Sequence, residues 1–207
     1  MAVGWLKLIR FVVPAILILI FTKLLGFVSG WWTTTLPDFE KSQYLPVIVI
    51  PAVIYYITPL RRWTNAPHHT RITERLRGGL VQISGYPDQT EKYTWKKLQP
   101  LFYNLVDQDE SLKQKAKLAY ANGAIWTSFA DSTVLSFLFF LASMLLYGLG
   151  VEDTFVAGML FLLISSLSLA GSIVCTSRQI AIGTEQLDVI DFKYEGDVEK
   201  RLNSLDN

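Results

Sequence analysis

Residues 132–175 read STVLSFLFFLASMLLYGLGVEDTFVAGMLFLLISSLSLAGSIVC. They contain two apolar runs, about 132–149 and 154–175, separated by a short turn that carries Glu152 and Asp153. A helix rises about 1.5 Å per residue, so runs of roughly 17–22 residues cross a hydrocarbon core of about 30 Å. Neither run has the polar stripe that a helix of a soluble bundle would turn toward water. The pair therefore reads as a transmembrane hairpin.

Two further windows of the same kind lie upstream, at about 11–29 (FVVPAILILIFTKLLGFVS) and 44–60 (YLPVIVIPAVIYYITPL). The first exceeds the apolar core of a secretory signal. Composition agrees: 51% of the 207 residues are hydrophobic and 18% are charged, against about a quarter charged in soluble domains. The expected fold is an all-α integral membrane protein with four transmembrane helices and a helical insert between the second and third. Its parts are an N-terminal hairpin (1–60), an insert (61–131), a second hairpin (132–175) and a tail (176–207).

Basic residues in short flanks orient such helices. Lys7 and Arg10 precede the first window, and Arg61, Arg62, Arg71, Arg75 and Arg77 follow the second. The intervening loop carries Lys41 beside Asp38 and Glu40. Both termini and the insert are thus expected on the cytoplasmic side of an inner (plasma) membrane. Trp5, Trp63 and Trp126 fall at the proposed inner boundaries, and Trp31 and Trp32 at the outer one, as amphipathic indoles favour.

Within the insert, Pro67, Gly78 and Gly79 suggest a proline-broken linker followed by a short helix near 70–78. A helix starting near Glu91 is expected to break at Pro100. Asp107-x-x-Glu110 resembles a capping box opening a helix that runs into the third span. Leu112, Ala116, Ala119 and Gly123 line one side of it. The insert has eleven lysines and arginines against seven acids, and the tail four against seven, so the two can dock on each other or across subunits. After Gly196-Asp197, Val198, Leu202 and Leu205 recur at helical spacing in a helix too short to stand alone.

Candidate functional residues sort by chemistry. Arg61, Arg62, Trp63, Arg71, Arg75 and Arg77 form a collar suited to anionic headgroups. Ser165, Ser168, Gly171 and Ser172 give the small-residue spacing that lets helices approach closely in lipid, an expected packing and oligomer face. Lys113, Lys117, Val198, Leu202 and Leu205 are candidates for docking a cytoplasmic protein. Lys23 and Pro51, a charge and a kink-former inside apolar windows, would flank a pathway if the chain conducts ions.

Catalytic signals are weak. Arg62 and His68 stand in an R-x5-H spacing that resembles the R-x4–6-H signature of HEPN ribonucleases, but Pro67 departs from a helix-borne version of it. His68 and His69 are adjacent and cannot both face one metal, and Cys175 is the single cysteine. No cofactor, metal or nucleic acid is expected. By architecture the chain resembles small polytopic membrane subunits of bacterial multi-component systems, including antiphage defence. That likeness implies a non-enzymatic, self-associating anchor, sensor or effector with a cytoplasmic protein partner; the alternative is an oligomeric ion channel or transport subunit.

Overall fold

The computed structural model describes residues 2–30, 50, 53–86 and 91–204, with side chains from Val12 onward. Trp31, Trp32, Lys41, Pro51, Leu205 and residues 44–49 and 51–52 of the second apolar window lie outside the described residues. Among the described residues the chain is all-helical. The helices are α1 (Ala2–Val28), α2 (Pro59–Ile83), α3 (Trp95–Gln108), α4 (Glu110–Gly148) and α5 (Thr154–Ser204). Two of them, α4 and α5, are long and apolar enough to cross a membrane, and Val12–Val28 of α1 is a shorter apolar segment.

Helix boundaries depart from the expectations wherever a local breaker was trusted. α2 begins at Pro59, where a missing N–H is harmless, and then continues through Pro67, Gly78 and Gly79. There is no broken linker. Thr64 Oγ1 and Asn65 Nδ2 bond the carbonyls of Leu60 and Arg61 at 2.9 and 2.7 Å, just ahead of Pro67. α3 likewise begins at Trp95 rather than near Glu91 and passes Pro100 without a break. α5 carries the fourth apolar window into the tail as one element whose sole non-helical residue is Tyr194, at φ −133° and ψ 15°. Tyr194 kinks the element, and the short helical piece after it carries Val198 and Leu202, as expected of the segment after Gly196-Asp197.

The chain divides into two compact units: residues 1–65 with 124–174, and residues 66–123 with 175–207. The first has a core of Phe21, Tyr55, Leu135, Ala157 and Phe161. Phe21, Phe139 and Phe161 meet in edge-to-face and tilted contacts, with centroids 5.3–5.6 Å apart. Ser165 donates to the Thr133 carbonyl at 3.0 Å, Ser168 lies 2.9 Å from Ser132, and Gly171 abuts the Phe129 ring. The small-residue face of α5 is thus occupied by α4 of the same chain.

The second unit has a larger apolar core that includes Leu76, Leu80, Tyr93, Leu98, Phe102, Leu112, Ile190, Val198 and Leu202. Val198 and Leu202 are fully buried there, so the tail packs on the insert. α2 and α5 meet by a reciprocal device. A Cβ on Gly79 would collide with the Leu187 side chain, and one on Gly183 would lie 3.1 Å from Leu76. Each glycine receives the other helix's leucine.

Candidate functional site

Burying a charge needs a partner and further hydrogen bonds. In the first unit Asp131 meets both requirements. Its side chain is 1% exposed and faces Arg61, which is 14% exposed. Arg61 Nε donates to Asp131 Oδ1 at 3.0 Å and Nη2 to Oδ2 at 2.9 Å, a two-pronged pair. Tyr55 Oη donates to Oδ1 at 2.9 Å, and the guanidinium lies 4.8 Å from the centre of the Tyr56 ring.

Three sequence segments supply this site. Tyr55 and Tyr56 lie in the helical residues 53–57, Arg61 in the first turn of α2, and Asp131 in the middle of α4. The Thr58 bend followed by Pro59 separates the first two segments and allows Tyr55 and Arg61 to converge on one carboxylate. The arrangement can hold two chain segments together as a neutral, specifically oriented ion pair. Breaking it leaves two enclosed charges without their partners.

A second polar centre lies in the other unit, where one extended residue, Asp109, joins α3 to α4. Its N–H caps α3 by donating to the Leu105 carbonyl at 3.2 Å. Its Oδ1 accepts the Leu112 N–H at 3.0 Å and the Ser111 hydroxyl, so Asp109, not Asp107, is the N-cap of α4. Oδ2 accepts Lys193 Nζ at 2.7 Å and Tyr194 Oη at 3.2 Å, at the irregular turn of α5. The hydrogen bond from Lys193, then those from Ser111 and Leu112, hold the Asp109 carboxyl far below the usual carboxylate range. The same contact raises Lys193. Tyr194 is raised by burial first and by the Asp109 charge second.

Further along this unit His68 Nδ1 lies 2.8 Å from Thr176 Oγ1. Asn122 Nδ2 donates to the Cys175 carbonyl and to Gln179 Oε1, each at 2.8 Å. Burial and then Arg71 push His68 below its ordinary value, so it is neutral at pH 7. Among the described residues no group of three His, Cys, Asp or Glu side chains could hold a metal ion.

The six-residue collar is divided by the structure. Arg62, Trp63 and Arg71 are exposed, Trp63 at 67%. Arg61 belongs to the Asp131 pair, Arg75 Nε donates to Thr184 Oγ1 at 3.2 Å, and Arg77 pairs with Glu74. Trp126 is buried against the rest of its unit. Lys113 pairs with Glu110 one turn away at 3.8 Å, Lys117 is exposed, and Lys23 is half-buried in α1. Sequence reasoning did not find Tyr55 and Asp131. The available signal was that Asp131 is the only carboxylate abutting the 132–149 window.

No protein family, curated protein or solved structure matches the chain. Its function is therefore argued from its own residues.

Proposed function

We propose that the chain is a multi-pass inner-membrane protein with cytoplasmic termini. In this reading it is a non-enzymatic, self-associating anchor and signal-coupling subunit whose insert and tail engage a cytoplasmic protein. The observation that carries the membrane reading is the inverted polarity of the first unit. Its buried residues include Asp131, Ser136, Ser143, Thr154, Ser165, Ser168 and Ser172, while Phe27, Ile57, Leu145, Leu163, Leu167 and Val174 are 56–74% exposed. In water that distribution would expose a very large apolar surface; in lipid it is the favourable one. Four spans then follow from the four apolar windows, and their orientation from the basic flanks.

Signal coupling is supported by helix continuity. α4 and α5 each run without a break from an apolar window into residues of the second unit. The Arg61–Asp131–Tyr55 contact ties segments together in the first unit, and the Asp109–Lys193 contact does so in the second. The buried serine hydroxyls of α4 mostly bond helix carbonyls, which offers no specific support to the channel alternative.

Cysteine labelling tests this reading. In a Cys175→Ala background, Glu152→Cys in sealed right-side-out vesicles is expected to react with a membrane-impermeant maleimide. Glu199→Cys should react only after permeabilisation, and the protein should resist carbonate extraction. Carbonate release, or equal labelling at both positions before permeabilisation, would refute the topology.

A further inference from the structure

The second unit carries two like-charge patches of opposite sign, each locally unfavourable. Asp188, Asp191 and Glu195 are exposed and fall at i, i+3 and i+7 of α5. They form the wall of a groove of about 380 Å³ whose floor includes Gly79 and Leu187. Like charges at such spacing repel. Arg75 also lines the groove, leaving it with three acids against one base. On the same face, at i+4 from Asp188, Phe192 is 88% exposed.

Lys96 and Lys97 are exposed in the first turn of α3, which contains no acid and whose N-cap, Thr94, makes no side-chain capping bond. Cations at the positive end of a helix are disfavoured. Among the described residues none of these five charged side chains takes part in an ion pair.

We infer that the acidic groove of α5 receives the lysine turn of α3 from a second copy of the chain. One contact relieves both unfavourable patches, and the exposed Phe192 ring offers a face to an ammonium group. A bilayer holding the copies in one orientation raises their effective concentration, so a modest polar interface suffices. This inference rests on the membrane-anchored, self-associating reading and adds the surface through which copies meet.

The test uses the full chain in mild detergent, with mass measured by native mass spectrometry across a salt series. The wild type is expected as an oligomer of the 23.5 kDa chain that dissociates as salt rises. Asp188→Lys with Asp191→Lys should give monomer, as should Lys96→Glu with Lys97→Glu, both with unchanged helicity by circular dichroism. Combining the four substitutions should restore the oligomer, which a folding defect could not do. Wild-type mass in either reversal variant, failure of the combined variant to reassemble, or an oligomer indifferent to salt overturns the inference while leaving self-association intact. A wild-type monomer at low salt overturns both, with membrane topology still judged separately by the labelling experiment.

Discussion

The two units solve the burial problem in opposite senses. The 1–65/124–174 unit encloses hydroxyls and an ion pair alongside Phe21, Leu135 and Phe161, and turns many other leucine, isoleucine and phenylalanine side chains outward. The 66–123/175–207 unit encloses leucine, valine and phenylalanine; among its described residues the large apolar side chains exposed to at least 36% are Tyr103, Leu118, Tyr120 and Phe192. A hydrophobic driving force explains the second pattern. In the lipid environment proposed for the first, close packing of small residues and hydrogen bonds between helices take over much of that role. Under that proposal burial ranks residues by the solvent around them, and one chain uses two rankings.

The sharpest way to break this comparison is to remove one partner of the polar contact in the first unit. Asp131→Ala leaves the Arg61 guanidinium enclosed without its countercharge and is expected to cost about 3–5 kcal/mol, read as thermal stability in detergent. Arg61→Leu with Asp131→Leu should recover most of that loss. If the single and double variants are equally unstable, the pair is not the organising contact of its unit. Next in size is a charge placed on the outward face. Leu167→Asp is expected to cost about 2.5–3.5 kcal/mol of membrane insertion, lowering the membrane-integrated fraction. Phe192→Asp, at a still more exposed position in the second unit, should leave that fraction unchanged. Equal effects at Leu167 and Phe192 would abolish the distinction between the units.

A smaller effect is expected where the second unit depends on glycine. Gly79→Val puts methyl groups where Leu187 packs and should destabilise by about 1–3 kcal/mol, measured by chemical unfolding. Gly78→Val, with nothing within 4 Å of a Cβ, serves as the control for helix propensity alone. Similar losses at both positions would mean that the close α2–α5 approach contributes little.

How much of this was legible in the sequence follows the same division. The apolar windows at 132–149 and 154–175 mark the membrane-length apolar parts of α4 and α5, and hydrophobic run length is a signal that needs no tertiary information. The continuity of α2 was not legible, because Pro67, Gly78 and Gly79 are breakers by local rules. Gly79 is retained for Leu187, a residue more than a hundred positions away. Nor could the sequence choose between Arg61 and Arg62. Neighbours on a helix point about 100° apart, and only the position of Asp131 decides which one is enclosed. The cap was missed for a related reason: until the end of α3 at Gln108 is known, Asp107 and Asp109 are equally plausible.

The smallest predicted effect is a pH dependence confined to the second unit. Asp109 has a folded pKa below its ordinary 3.8, so its contribution is present above that value and is lost as pH falls toward the folded one. Lys193 has a folded pKa above its ordinary 10.5, so its contribution is complete below 10.5 and is lost as pH rises through the folded one. Unfolding of this unit should therefore show a stability plateau with an acid edge below the usual carboxylate range and an alkaline edge above 10.5. Asp109→Asn can keep the cap oxygen on the Leu112 N–H while removing the charge, so it should flatten the acid edge without unwinding the start of α4. Lys193→Met should flatten both edges. Profiles of Asp109→Asn that superimpose on the wild type would show that the carboxylate acts only as a cap. The joint between α3, α4 and the bend of α5 would then be held by geometry rather than charge, in contrast to the ion pair at Asp131.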